Sequence, residues 1–220
     1  MKWGIRRYQN EDGTLTNAGK KRYSRTKILD KDSYDPRDVG DIKIKRTSNL
    51  YRLTKTKEKT GNYRKYVYSN QDRPYYETEG FDNRIYKMTM QPLKNLKIAG
   101  KKETVKAFLK QYNVKLSDLN KSRTYKMSLS DADDLENISL DIANKYGERA
   151  LDLMGNEKLT SDMIKRLSKK GYDGMVDIND TYVYTSSART PMILFNPKKT
   201  VKTLSITKKP TKENVFKETF

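Results

Sequence analysis

The chain contains neither cysteine nor histidine. Without cysteine no disulfide can form, so nothing marks the protein as secreted, and we expect it in a reducing compartment. Without either residue the common zinc sites, a Ser-His-Asp triad and a cysteine nucleophile with an imidazole base are excluded. Oxygen-ligand metals remain open, but the acidic residues show no EF-hand spacing. Most familiar enzyme mechanisms are excluded, and we expect no metal site.

Long apolar runs are also missing. The first residues read MKWGIRR, and no apolar segment follows them. No stretch approaches the roughly 20 apolar residues that a membrane span needs. We therefore expect a protein that is made and kept in solution and that has no membrane partner.

The composition allows one compact domain with little apolar surplus. Hydrophobic and charged residues each make up 34% of the 220 residues, and tyrosine occurs 16 times against 5 phenylalanines and 1 tryptophan. Tyrosines suit half-buried positions, where the ring packs and the hydroxyl stays in water. We expect a single core with basic segments outside it.

The net charge of +19 is unevenly distributed. Residues 32–127 hold 23 Lys/Arg against 11 Asp/Glu, whereas residues 128–180 hold 7 against 12. A positive charge of this size attracts nucleic acid through counterion release. A polyanion is therefore the leading partner class, and an acidic protein is the alternative.

The local patterns predict an α+β fold with a basic N-terminal arm (1–40), a folded domain (41–203) and a basic C-terminal tail (204–220). Alternation of apolar and polar residues predicts strands at 50–54, 64–69 and 85–90, and a short apolar run predicts a buried strand at 192–195. Helical spacing predicts one helix over 102–112 and a second one that begins at Ser130 and Asp131. A third helix is predicted to open at Thr160 and Asp162 and to end at Gly171, followed by a hairpin formed by 174–178 and 181–185.

The first 23 residues resemble a known segment of phage proteins. The stretch KWGIRRYQNEDGTLTNAGKKRY is similar to a segment that recurs in minor head and other structural proteins of tailed phages of Gram-positive bacteria. The resemblance implies a virion protein that docks on a phage structural protein or on DNA phosphates. The implied contact residues are Lys2, Trp3, Arg6, Arg7, Tyr8, Lys20, Lys21, Arg22 and Tyr23.

A second resemblance covers residues 45–203. An arginine-bearing strand (LYRLT), a serine-ended strand with a tyrosine-rich stretch after it, and the blocks KKGYDGMVDIND and PMILFNPKKTVK follow in this order. Together they resemble the ADP-ribosyltransferase-like domains of phages and mobile elements. The resemblance implies a mixed or antiparallel split sheet surrounded by helices, with NAD as the cofactor of an active member.

The resemblance also implies site residues, and one of them is missing. Arg52 would contact an NAD phosphate, Ser69 would belong to the bracing serine element, and Tyr75 or Tyr76 would stack on the cofactor. The expected catalytic glutamate position is Pro191. A carboxylate is required there because the transition state is cationic. The sequence thus predicts an inactive scaffold without catalytic residues or cofactor, unless Glu77 or Asp180 substitutes.

Each of these residues also has a purely structural interpretation. Arg52 can be a surface arginine on a half-buried strand, Ser69 can end its strand, and the two tyrosines can serve packing. We therefore carry three functions forward. The first is a virion-associated minor protein that acts in the particle and, after delivery, in the host cytoplasm. The second is an active mono-ADP-ribosyltransferase that modifies a host protein, and the third is an inhibitor of a host defence or polymerase protein.

Overall fold

A computed structural model describes residues 27–29, 39–54, 57, 65–69, 86–153, 155–179 and 191–208, with residues 27–29 and 65 described only in their backbone. The strands in this part are β1 (Lys27–Leu29), β2 (Ile42–Ile44), β3 (Leu50–Thr54), β4 (Lys65–Val67), β5 (Tyr86–Pro92), β6 (Leu96–Ala99), β7 (Gly174–Val176), β8 (Met192–Leu194) and β9 (Val201–Lys208). The helices are α1 (Lys101–Gln111), α2 (Leu116–Leu119), α3 (Ala132–Tyr146), α4 (Glu157–Ser168) and α5 (Pro197–Thr200), with a 3-10 turn at Glu148–Leu151.

The described strands form two sheets. The larger sheet has the order β1-β2-β6-β7-β8-β4 and mixes parallel with antiparallel pairs. The smaller sheet has the order β3-β5-β9 and is antiparallel throughout. The predicted α+β class, with mixed and antiparallel sheets and several helices, is confirmed.

Helices cover one face of the larger sheet. Ile42 and Ile44 alternate with exposed Lys43 along β2, so the strand has one apolar and one polar face. The buried face packs with the helices into a single core, where Phe108 of α1 and Ile138 of α3 are fully buried. Binary patterning therefore dictates which face the helices cover.

The two sheets meet where β3 passes β4. The backbones of Tyr51 and Tyr68 exchange two hydrogen bonds of 2.8 Å. On β3, Leu50 and Thr54 are buried and lie on the same face as Arg52. The smaller sheet thus turns that face toward the interior and continues the hydrogen bonding of the larger sheet through a single bridge.

Two local predictions need correction. The helix that was expected to open at Thr160 begins at Glu157, because the Asn156 side chain accepts a hydrogen bond from the Leu159 backbone N–H at 3.0 Å and caps the helix. The strand after Gly174 ends at Val176 and cannot form the predicted hairpin, since β6 and β8 occupy both of its edges. Residues 180–190, which include the second strand of that hairpin, lie outside the described residues.

Strands also occur in segments that were predicted to lie outside the folded domain. β9 extends to Lys208, past the boundary predicted at 203, and its pairing with β5 includes a bulge at Leu204. β1 lies within the predicted arm and pairs in parallel with β2. The remaining parts of the arm and tail, 1–26, 30–38 and 209–220, lie outside the described residues. No helix in the described part of the chain is long and apolar enough to cross a bilayer.

The two glycines of the KKGYDG block have different roles. Gly171 follows α4 with φ +79, a conformation that glycine adopts without strain, as predicted for a helix end. Gly174 begins β7, at the start of the strand predicted over 174–178. A Cβ atom at this position would come within 2.7 Å of the Ile193 carbonyl oxygen and 2.9 Å of Ile98 Cδ1. Its missing side chain permits close packing between strands.

Candidate functional site

Arg52 reaches from the smaller sheet to the larger one. It lies directly opposite Met88, which is fully buried, and it is itself half-buried. Its Nη1 atom donates a hydrogen bond to the carbonyl oxygen of Tyr66 at 3.1 Å. This contact positions the guanidinium at the junction of the two sheets.

The register brings Ser69 and Pro191 to the same junction. Val67 of β4 pairs with Met192 of β8, and continuing this antiparallel register places Tyr68 opposite Pro191. Ser69 directly follows, and the bridge from Tyr68 to β3 brings this end of β4 beside Arg52. The structure therefore brings together Arg52, Ser69 and Pro191. We name this place the inter-sheet corner.

A buried carboxylate lies beside the position where glutamate is missing. The Asp177 backbone N–H donates to the Pro191 carbonyl oxygen at 2.8 Å, and the Asp177 side chain is 5% exposed. Its Oδ1 atom accepts a hydrogen bond from the Asn179 backbone N–H at 3.1 Å. The sequence analysis overlooked Asp177. Pairing the predicted strands 174–178 and 192–195 would have found it, because that pairing places residue 177 next to residue 191.

Asn179 adds an unsatisfied acceptor to this corner. The residue is 8% exposed, and among the described residues its Oδ1 atom is the buried side-chain polar atom that lacks a hydrogen-bond partner. A buried acceptor without a donor costs about 1–3 kcal/mol. The Asn179 Oδ1 atom could therefore accept a hydrogen bond from a hydroxyl or amide group of a ligand.

The other residues implied by the two resemblances lie outside the described part of the chain. They are Tyr75, Tyr76, Glu77 and Asp180 for the NAD site, and Lys2, Trp3, Arg6, Arg7, Tyr8, Lys20, Lys21, Arg22 and Tyr23 for the arm. Within the described part, no cluster of three or more acidic residues could hold a metal ion.

Two surface turns and the short helix α5 meet at one end of the molecule. The Arg46 backbone N–H donates to Asn95 Oδ1 at 2.9 Å, which joins the turn after β2 to the turn between β5 and β6. The Leu93 backbone N–H donates to the Thr200 carbonyl oxygen at 2.8 Å, which joins the β5–β6 turn to α5. Segments that are far apart in the sequence therefore form one continuous surface.

This surface is strongly cationic. The contributing stretches 43–46, 93–97 and 196–202 contain no Asp or Glu. Every cation among them is exposed except Lys45, which is half-buried. We name this surface the basic end, and it consists of Lys43, Lys45, Arg46, Lys94, Lys97, Lys198, Lys199 and Lys202.

Like charges stand directly opposite each other within the basic end. Lys43 of β2 pairs with Lys97 of β6, and such pairs destabilise a sheet. The Lys97 ammonium is partly compensated, since its Nζ lies 4.1 Å from the Tyr172 ring centroid and 3.9 Å from Asp41 Oδ2. A bound polyanion would relieve the remaining repulsion.

Two carboxylates among the described residues contact the basic end. Asp173 belongs to the KKGYDG block, and Asp41 is bound by Tyr172 of that block. Asp173 pairs with Lys94 at 2.7 Å and accepts a hydrogen bond from the Lys97 backbone N–H at 3.0 Å. Asp41 accepts a hydrogen bond from the Tyr172 hydroxyl at 2.7 Å. Burial raises the pKa of the Tyr172 hydroxyl, and so do this hydrogen bond and the Asp41 charge. Within the described part of the chain, these two carboxylates contact Lys94 and Lys97, and the three contributing stretches add no negative charge of their own.

A groove of about 450 Å³ on the helical side of the molecule has a different character. Its Arg123 and Asp141 already satisfy each other, because Arg123 Nη2 lies 2.9 Å from both Asp141 oxygens. The groove carries both signs of charge, and its arginine is already paired with one of its carboxylates. The basic end is the stronger candidate site.

No family model, no curated protein and no solved structure matches this chain. The interpretation of the site therefore rests on the chemistry of the basic end and of the inter-sheet corner.

Proposed function

We propose that this chain is a virion-associated minor protein of a tailed phage that binds double-stranded DNA through its basic end, without dependence on base sequence. The observation that carries the proposal is the convergence of eight cations on one surface from three stretches that contain no Asp or Glu, 43–46, 93–97 and 196–202. Lysines act as point charges toward phosphates and do not read bases, which suits packaged DNA. The resemblance of residues 1–23 to phage structural proteins supports the setting, and delivery with the genome would bring the protein into the host cytoplasm.

The fold in this proposal is a degenerate ADP-ribosyltransferase-like scaffold. Its support is the split arrangement of a mixed and an antiparallel sheet, together with the placement of Arg52 and Ser69 beside Pro191 at one corner. The proline leaves residue 191 without a carboxylate to stabilise a cationic transition state. On this proposal the scaffold serves binding and carries out no turnover.

A salt series tests the DNA-binding proposal. We expect affinity for a duplex, measured by fluorescence anisotropy, to fall steeply with salt, with a slope of log K against log salt of about −5 for six neutralised phosphates. Changing Lys43, Lys198, Lys199 and Lys202 together to Ala should make this slope shallower by about 3 or 4, since each lost contact removes about 0.9. The matched control removes four exposed lysines elsewhere, Lys110, Lys158, Lys165 and Lys169.

The outcome separates the readings of the basic surface. Equal losses of DNA affinity in the two quadruple variants would show that only the total charge matters. The basic end would then not be the binding site. Weak, salt-insensitive DNA binding by the unaltered protein would instead favour an acidic host protein, such as a defence or polymerase component, as the partner.

Asp177 supports a second candidate function, an active mono-ADP-ribosyltransferase. Its carboxylate lies beside residue 191, and Arg52 and Ser69 lie at the same corner and fit the phosphate and bracing positions of an NAD site. NAD would supply the ADP-ribosyl group, and Asp177 would hold a ribose hydroxyl and offset positive charge. Nicotinamide release by the protein, abolished in Asp177→Asn and retained in Asp173→Asn, would establish this function. No release above the buffer rate would exclude it.

A further inference from the structure

The turn between β5 and β6 holds an exposed leucine in the middle of the basic end. Leu93 is 44% exposed, although Pro92 before it is buried. Single exposed leucines are common on protein surfaces, but this one differs in its setting. Lys94 follows it in the chain, its backbone bonds to Thr200 directly after Lys198 and Lys199, and the Asn95 side chain of the same turn bonds to Arg46.

The turn is held in place from three sides. Leu93 donates its backbone N–H to Thr200, the Asn95 side chain accepts from the Arg46 backbone, and Lys94 pairs with Asp173 at 2.7 Å. β5 belongs to the smaller sheet and β6 to the larger one, so the turn connects the two sheets at a place distinct from the inter-sheet corner. The leucine is thus fixed before any partner arrives, which lowers the entropy cost of using it in binding.

A rigid apolar tip surrounded by lysine, arginine and asparagine is the chemistry by which architectural proteins enter the DNA minor groove. We propose that Leu93 is a wedge, which inserts between base pairs from the minor groove and kinks the duplex when the basic end docks on it. This inference rests on the proposed DNA-binding function. The cations would hold the phosphates on both sides, and the leucine would replace part of the stacking that the kink removes.

The surroundings of Leu93 favour DNA over other partners. Membrane surfaces are bound by broad apolar faces with several large residues, whereas this tip presents one leucine among cations. Protein interfaces rely on clustered aromatic or arginine anchors. Tyr172, whose ring contacts Lys97 of the basic end, is only 7% exposed and so offers no aromatic anchor. A single apolar side chain is enough to open one base step.

Energy transfer between dyes at the two ends of a duplex of about 30 base pairs measures the bend directly. Such a duplex is roughly two-tenths of the DNA persistence length, so it stays nearly straight when no protein bends it. The variant is Leu93→Ala, and the matched control is Leu204→Ala, which shortens a leucine on β9 that is 49% exposed. We expect the unaltered protein and Leu204→Ala to bring the duplex ends closer to the same extent. Leu93→Ala should bind with about threefold to tenfold lower affinity, keep its salt dependence and lose the bend.

A fluorescent adenine analogue in the duplex gives a second readout, since its emission rises when the wedge unstacks it. Binding without a bend, or a bend that survives in Leu93→Ala, would overturn the wedge and leave the DNA-binding proposal intact. Absence of DNA binding by the unaltered protein would overturn both. Leu93-dependent binding to anionic vesicles, without a Leu93-dependent bend in DNA, would also overturn the wedge and identify a membrane surface as the partner of this tip.

Discussion

Single residues hold the junction of strands and helices around the KKGYDG block. Gly174 lets β8 and the Ile98 side chain approach β7 more closely than any side chain would permit. Tyr172 and Asp173 extend from the same block to the loop before β2 and to β6. The block is therefore a structural connector whose side chains also define one border of the basic end.

Gly174→Ala should destabilise the fold. The added methyl group would meet the Ile193 carbonyl oxygen and two core side chains, Ile98 and Leu194, and overpacking of this kind costs about 1–3 kcal/mol. Urea unfolding followed by circular dichroism measures the change. Gly155→Ala is the control, because the atoms nearest to its new methyl group belong to the Asp152 side chain, which can move. Equal stability of the two variants would contradict the close approach at Gly174.

The stability of the protein should depend on Tyr172 at high pH. Burial and the Asp41 carboxylate raise the pKa of the Tyr172 hydroxyl in the folded state above its ordinary value of about 10. The folded state then holds this proton more tightly than the unfolded state, so the contribution is complete below about pH 10 and is lost as the pH rises further. Denaturation midpoints measured between about pH 8 and pH 11 should fall less steeply in Tyr172→Phe than in the unaltered protein. An identical pH slope in both proteins would show that Tyr172 does not contribute.

At the scale of elements, capping residues decide where helices begin. Asp131 accepts hydrogen bonds from the backbone N–H groups of Asp133 at 2.9 Å and Asp134 at 3.2 Å. The sequence predicted this start because serine and acidic residues precede a helical apolar pattern. At α4 the same reasoning selected Thr160, yet the cap is Asn156, and the Thr160 side chain is buried and bonds back to the Leu153 and Asn156 carbonyl oxygens. Burial, which the sequence does not report, distinguishes the two roles.

Asp131→Ala should therefore destabilise the protein by about 1 kcal/mol, the usual loss for an N-cap. Asp133→Ala is the matched control in the same first helical turn. It should cost only the charge–dipole contribution, about 0.3–1 kcal/mol. Chemical denaturation in low salt and in about 1 M salt separates the two, since screening removes the dipole contribution and leaves the cap. A loss in Asp131→Ala that disappears in high salt would contradict the capping role.

At the scale of the whole molecule, charge is segregated between surfaces. The basic end gathers cations from 43–46, 93–97 and 196–202, while the acidic excess lies in 128–180, which contains α3 and α4. Such a separation orients the molecule in the field of a polyanion and accelerates encounter at low salt. It gives the domain a cationic end that does not depend on residues 1–23.

The arm gives a separate prediction. Changing Arg6, Arg7, Lys20 and Lys21 together to Ala should weaken association with the phage particle or with DNA, because these cations supply phosphate or capsid contacts in the resemblance. The fold should be unaffected, as judged by circular dichroism and the denaturation midpoint. Co-sedimentation with particles and the anisotropy salt series measure the two associations. Unchanged particle association together with unchanged DNA affinity would refute the role of the arm.

Apolar periodicity and helix-start residues are local signals, so the type of several elements could be predicted from the sequence. Strands at 50–54 and 192–194, the helix that begins after Asp131 and the glycine that ends α4 are all confirmed. Only the tertiary structure decided which segments became neighbours. Pairing of β7 with β8 sets Asp177 beside Pro191, and hydrogen bonds from Arg46 to Asn95 and from Leu93 to Thr200 assemble the basic end. These contacts join residues far apart in the chain, and their register depends on packing of the whole core, which no local pattern encodes.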